Sequence, residues 1–281
     1  MIVFMSSAMQ EQIEEFADLS RLKYFILLLD QIPKSSWDQI IRNEPEWRYY
    51  QGIYEKYGFS RFAVLLMTAA LNSYQLKGKA EQKYWKILAR YIETNATPSS
   101  PRELHQILIG FYQKERLPKG KLKRLERFLQ NALVNDIWNS NDMVIEENFQ
   151  SIWQRLSETM QQKPEAKTIC FSMKCLGISL LMNNTFDFDF SCISIPVDSR
   201  VESFTKKMKV VQSHTPKMIQ TLWSHILWSS QDKNSFLTMI HIDSFIWQIA
   251  SLNASELKHY LSEFNLDSLY DEFIEFMDYM T

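Results

Sequence analysis

The 281-residue chain has only six glycines, and that scarcity limits its fold more than any other feature. A sheet protein of this length needs frequent turn residues, and its strands alternate apolar with polar positions. Few stretches here alternate, whereas apolar residues recur at helical spacing over most of the length. The fold class read from this pattern is all-α. Apolar residues make up 46% of the chain and aromatic ones 14%, which excludes disorder for most of it and leaves enough material for a real core, in one large domain or two small ones.

Punctuation along the chain divides it into helices. Residues 8–30 read as the first, with Ile13, Phe16, Leu22, Phe25 and Leu29 as an apolar stripe ended by Pro33. Ser35 and Ser36 open a short second helix through Ile41, and Pro45 starts a third that Gly58 closes as a C-cap. Residues 60–76 form the most apolar helix, predicted to be buried on most sides. A turn around Gly78 precedes a helix carrying Tyr84 and Trp85. TPSSPREL reads as a linker and helix start, and helices follow over 152–160, 165–182, 198–211, 216–228 and 236–251, with two short acidic ones at the end. No internal repeat or low-complexity tract stands out.

Several function classes drop out on composition. Cys170, Cys175 and Cys192 are odd in number and lack metal-type spacing, and the five histidines are scattered, so neither a metal nor a cofactor is expected. No apolar run approaches the roughly 18 residues that a membrane span needs. MIVFMSSAMQ lacks a signal peptide's charged start, so an intracellular protein is expected. The net charge of −2 speaks against a nucleic-acid binder until its distribution is considered. From Ala254 onward seven acids face Lys258 alone, a local −6, which leaves the rest of the chain at +4. Within it, Lys114, Arg116, Lys119, Lys121, Lys123, Arg124 and Arg127 lie against only Glu115 and Glu126. Of these, Lys119, Lys121, Lys123 and Arg124 are the candidate contacts for DNA phosphates, although such a run also suits a solvated helix face.

The segment KTICFSMKCLGISLLMNNTFDFDFSCISIPVDSRVESFT, residues 167–205, carries the chemistry-bearing pattern. Pro164 marks a helix start, which sets Lys167 near the positive end of the helix dipole, where a neutral amine is favoured over an ammonium. Lys174, seven residues on, returns to nearly the same face. Asp198 stands at the mouth of the next helix, just after Pro196. An amine beside a carboxylate suits Schiff-base chemistry. The same residues also fit a solvated lysine stripe with Asp198 or Ser199 as a helix cap, since Ser199 and Glu202 match the capping-box spacing.

With these residues in view, the chain resembles the archaeal 8-oxoguanine DNA glycosylase/AP lyase family of the helix-hairpin-helix superfamily. The likeness spans about Glu44 to about Ser251 and rests on EPEWR, SYQLKGKAEQKYW, AKTICFSMK, IPVDSRV and IHIDSFIW, in that order. It implies a single catalytic unit over 1–281 with two helical subdomains, 60–180 and 1–59 plus 181–281, a base-binding cleft between them, and an acidic extension over 254–281. It also implies Lys167 as nucleophile and Asp198 as the carboxylate assisting at the sugar. Glu46, Lys174, Asp243 and Trp247 match base-pocket positions, and either Tyr84 or Trp85 supplies a second stacking face. The implied partner is double-stranded DNA containing oxidised guanine, attacked by a monomer associated with DNA in the cytoplasm.

Two positions depart from that family. Glu46 falls where the family has a glutamine against the damaged base, and a carboxylate accepts hydrogen bonds but donates none unless protonated. The hairpin SETMQQKPEAKT contains no glycine, although close phosphate approach commonly uses one. A first-turn acid such as Glu46 also suits an exposed helix start, and Trp247 on an apolar helix also suits a core. A glycosylase for another damaged base and a non-catalytic DNA- or protein-binding helical module are the alternative readings.

Overall fold

The computed structural model describes residues 13, 15–78, 80–185, 188, 190, 193–212 and 214–277, with backbone alone at 81 and 82. Cys192, Asp278 and residues 8–12 and 14 of the helix expected over 8–30 lie outside them. In chain order the α-helices are α1 (Leu19–Asp30), α2 (Lys34–Arg42), α3 (Pro45–Arg48), α4 (Gln51–Tyr57), α5 (Phe59–Leu71) and, after a π-helical turn at Ala80–Tyr84, α6 (Trp85–Glu93). There follow α7 (Pro101–Tyr112), α8 (Pro118–Leu129), α9 (Ala132–Asn139), α10 (Asp142–Glu147), α11 (Phe149–Met160) and α12 (Lys167–Met182). The last are α13 (Ser199–Met208), α14 (Pro216–Gln231), α15 (Met239–Ile249), α16 (Ala254–Glu263) and, after a 3₁₀ turn, α17 (Tyr270–Met277). Among the described residues the only β pairing is an isolated bridge between Ala17 and Val211.

The chain forms two compact units, 43–192 and 1–42 with 193–281. The first is built around α5 and α12, its most extensively packed pair. Residues 62–71 of α5 are all buried, as the unbroken apolar run predicts, although the helix stops at Leu71. Ser172 Oγ ties the pair by donating to the Met67 carbonyl at 3.2 Å. The sequence division at 59/60 and 180/181 differs from these units. The short helix α3 packs on α6 and α12, and α4 on α5 and α6, so residues 43–59 go with the middle of the chain. Phe188 and Phe190 likewise close on Phe149, at ring separations of 5.0 and 5.5 Å.

In the second unit Asp18 caps α1 by accepting from the Arg21 amide, which interrupts the long helix expected over 8–30 and leaves Phe16 43% exposed. The acidic C-terminal stretch is not a solvated tail. Its apolar faces, including Leu257, Leu261, Phe273 and Phe276, are buried, and the Phe276 ring stacks on Phe25 at 5.0 Å. Arg21 lies over that ring at 4.7 Å and donates to the Phe276 and Met208 carbonyls, so a cation from α1 closes the C-terminal helix. Among the described residues, the acids of α16 and α17 stand on helices whose apolar faces are buried.

Candidate active site

Lys167 is the first residue of α12, not the third as Pro164 suggested, because Pro164 sits in the preceding turn and Ala166 is the N-cap. The turn is built without glycine. Gln161 adopts the left-handed conformation at φ 53°, and the Gln162 amide reaches back to the Ser157 carbonyl at 3.0 Å, closing α11. Trp153 Nε1 donates to the Pro164 carbonyl at 2.9 Å. Lys167 projects from this turn with an exposed side chain.

Two of the expected phosphate contacts instead have structural roles. Arg124 is half-buried, donating through Nε to the Leu71 carbonyl (3.1 Å) and through Nη2 to Gln162 Oε1 (3.1 Å) and Thr168 Oγ1 (3.0 Å). It therefore grips the residue next to Lys167. Lys121 is 0% exposed, with its ammonium 5.4 and 5.8 Å from the Tyr74 and Tyr84 ring centres and 3.9 Å from Glu115. A lysine enclosed this way cannot reach a phosphate. Both residues fall on the inner face of α8, which the charge count could not distinguish from its outer face. Lys119 and Lys123 are exposed on that outer face.

Lys174 is buried within α12 and paired to Glu44 Oε1 at 2.8 Å. Glu46 was expected at an exposed helix start but is 3% exposed, because α3 is a single turn covered by α6 and α12. Burial and then the neighbouring Glu44 carboxylate push its carboxyl well above the usual range, against the opposing pull of Lys174. Tyr84 is fixed by its hydroxyl, bonded to the Ala69 carbonyl and Tyr112 at 2.7 and 2.8 Å. Trp85 lies edge-on to Tyr50 at 5.7 Å and to Phe171 at 6.1 Å. Phe171 was missed in the sequence. It stands four residues after Lys167 and three before Lys174, so helical spacing puts all three on one face, which is the signal that could have found it.

In the other unit, Asp198 rather than Ser199 is the N-cap of α13: its Oδ1 accepts from the Arg200 and Val201 amides at 2.9 and 3.0 Å. Glu202, the expected capping-box partner, instead pairs with Lys206 at 2.6 Å. Asp243 is buried and Trp247 half-buried on α15. The Arg200 guanidinium lies 4.1 Å from the Trp247 ring centre, so within this unit the mouth of α13 and the α15 tryptophan adjoin. Among the described residues no cluster of three or more His, Cys, Asp or Glu side chains could hold a metal ion, and no helix is long and apolar enough to cross a membrane.

Comparison with known proteins gives this arrangement a context. An N-glycosylase/DNA lyase of Methanococcus maripaludis is 25% identical over 201 residues, 68% of this chain and 72% of that protein. One from Nanoarchaeum equitans is 28% identical over 205 residues, 70% and 81% of the two chains. The fold is similar to that of the 8-oxoguanine DNA glycosylase from Pyrobaculum aerophilum solved with 8-oxoguanosine, with a TM-score of 0.70 and 20% identity over 89% of this chain and 96% of that one. The AGOG model of N-glycosylase/DNA lyases matches residues 26–272, which sets aside the non-catalytic module, and the chain belongs to that family of base-excision enzymes.

Proposed function

We propose that the protein excises 8-oxoguanine from duplex DNA and then nicks the strand, with Lys167 as the nucleophile. The observation that carries this reading is the lysine's placement: the exposed first residue of the unit's central helix, behind a turn clamped by Arg124 and followed on one face by Phe171 and Lys174. The extruded base costs a few kcal/mol to unstack, offset by stacking on aromatic faces and hydrogen bonds in the pocket. Trp247 and Trp85 serve as those faces; Trp85 is preferred to Tyr84 because its ring adjoins Phe171. Glu46, Lys174 and Asp243 line the base, and Lys119 and Lys123 meet phosphates.

In the first step the Lys167 amine bonds to C1′ as the C1′–N9 bond breaks, and the base departs with its electron pair and a proton. Asp198 stabilises the positive charge that develops at the sugar and then carries protons. The nitrogen then gives up a proton, the C1′–O4′ bond breaks as the C1′=N bond forms, and O4′ takes a proton, so the sugar ring opens to a protonated Schiff base that makes the C2′ proton acidic. Its removal expels the 3′ phosphate as the C3′–O bond breaks, which is β-elimination. The enzyme acts as a monomer on DNA in the cytoplasm.

Sodium borohydride reduces the Schiff base to a stable amine, so trapping with a duplex containing one 8-oxoguanine tests the assignment directly. A covalent adduct should form on the damaged duplex and not on an undamaged control, and Lys167→Ala should abolish both adduct and nick. An adduct that persists in Lys167→Ala would remove Lys167 from the mechanism.

A further inference from the structure

Lys121 of α8 is a buried lysine that the chemistry above does not use. Its ammonium is fully enclosed, donates no hydrogen bond, and has Glu115 at 3.9 Å as its carboxylate neighbour. Burial pulls its pKa down, with Glu115 opposing and Lys77 reinforcing the shift. A methionine would fill the same space without desolvating a charge, and exchanges of that kind are often neutral or stabilising. What the charge does meet is two rings, with the Tyr74 and Tyr84 centres 5.4 and 5.8 Å away. These rings stand at the two ends of one loop, within the SYQLKGKAEQKYW segment at 73–85. Its backbone is irregular, with Gln75 at φ 44° and a π-helical turn that ends at Tyr84, and such irregularity clusters at functional sites.

The Tyr74 ring meets a second cation, for its centre is also 5.4 Å from the Arg124 guanidinium carbon. Arg124 in turn donates to Thr168 Oγ1 at 3.0 Å, next to Lys167. At the other end, the Tyr84 ring lies 5.1 Å from the Trp85 ring at 70°. Rings and cations therefore alternate, Tyr84–Lys121–Tyr74–Arg124, between the stacking tryptophan and the start of α12. Attraction between a cation and a ring face depends on distance and direction, whereas apolar burial has no direction. A methionine at 121 would fill the space and hold neither ring in place. We propose that Lys121 and Tyr74 are positioning residues, members of a ring–cation ladder that fixes the Trp85 ring relative to Lys167 so that an extruded base is stacked and attacked in one geometry. The inference rests on the excision reading above. It also gives the buried charge a use: a misplacement of about 1 Å at a reacting centre can slow a reaction about a hundredfold.

The test compares two reactions of the full chain under single-turnover conditions. One is base release from a duplex with one 8-oxoguanine; the other is nicking of a duplex with a preformed abasic site, which needs Lys167 but no stacked base. Lys121→Met keeps the volume and removes the charge, so its urea midpoint should stand at or above that of the wild type. It should nevertheless release 8-oxoguanine roughly tenfold more slowly or worse, while nicking the abasic site within about threefold of the wild-type rate. Tyr74→Phe keeps the ring and should match the wild type in both reactions, whereas Tyr74→Leu should copy Lys121→Met. The double variant Lys121→Met/Tyr74→Leu should be no slower than the slower single one, because the two residues act through a shared contact. Unchanged base release in Lys121→Met, an equal fall in both reactions, or fully additive losses in the double variant overturns the proposal. Should Lys121→Met fail to fold, Tyr74→Phe and Tyr74→Leu decide it: equal base release in the two means that the ring holds nothing in place. Wild-type protein that neither releases 8-oxoguanine nor nicks the abasic site overturns the excision reading instead.

Discussion

The Arg200 guanidinium lies 4.1 Å from the centre of the Trp247 ring and donates to that residue's carbonyl at 3.4 Å. The same arginine's amide is bound by Asp198 at 2.9 Å. One residue thus links the carboxylate assigned to sugar chemistry with the ring assigned to stacking. A cation over one face of an indole orients the ring and polarises it, a contribution of about 0.5–2 kcal/mol. Arg200→Ala should therefore raise KM for the damaged duplex by roughly 2- to 30-fold, with a smaller effect on kcat. Arg200→Lys should recover part of the loss, since an ammonium keeps the charge and gives up the planar stack. Steady-state kinetics on the three proteins checks this, and an unchanged KM in Arg200→Ala would show that Trp247 needs no such support.

Asp198 has two separable duties. As an N-cap it needs only a side-chain oxygen, which serine supplies; for the sugar it needs a negative charge, which serine lacks. Asp198→Ser should keep the melting temperature close to wild type yet slow base release by roughly a hundredfold or more. Asp198→Ala should add the loss of the cap, about 0.5–2 kcal/mol of stability. Thermal melts alongside single-turnover excision distinguish the two duties. A Ser variant with wild-type excision would reduce Asp198 to a cap.

How far the sequence reveals this molecule depends on what each signal measures. Helical period and glycine scarcity report burial along one axis, so the all-α class, the buried run of α5 and the cap at Gly58 were legible. The order of the five motifs made the family legible. Which side of a helix faces inward was not legible where charges dominate, because Lys121 and Lys123 look alike until α8 is laid on its neighbours. Glu46 failed for the same reason: a first-turn acid has a good local rationale for exposure, and tertiary packing of a four-residue helix overrode it. The start of α12 moved because proline also suits the turn before a helix, and here Trp153 holds the Pro164 carbonyl in that turn.

Arg124 offers a direct contrast between the two roles open to a cation. A phosphate contact would cost DNA affinity and reduce the salt slope by about one when removed. A clamp on Thr168 and Gln162 would cost stability and the placement of Lys167 instead. Arg124→Lys cannot span its three acceptors, and stranding them should cost about 1–3 kcal/mol. The expected outcome is a lower yield of borohydride-trapped adduct and a lower urea midpoint, with the salt dependence of DNA binding unchanged. A reduced salt slope with wild-type stability would return Arg124 to the phosphate-binding surface.

His241 makes the unit that bears Asp243 and Trp247 sensitive to acid. Its Nδ1 accepts from the Thr238 amide at 3.1 Å, closing the capping box of α15, and its buried ring lies edge-on to Trp37 at 6.1 Å. Burial pushes its pKa down from 6.5 to about 4, with Asp38 opposing and Lys34 reinforcing the shift. Between those two values the unfolded chain binds a proton that the folded chain refuses, so stability is fully present above 6.5 and is lost as the pH falls towards 4. The loss approaches about 1.4 kcal/mol per pH unit within the window, or about 3 kcal/mol in all. His241→Gln keeps an acceptor at the third helical position, where glutamine also completes a capping box, and has nothing to titrate. Urea unfolding at pH 7, 6, 5 and 4 should show the wild type losing this increment while the Gln variant does not. Parallel curves for the two proteins would mean that His241 is protonated in the folded state and that other groups set the acid limit.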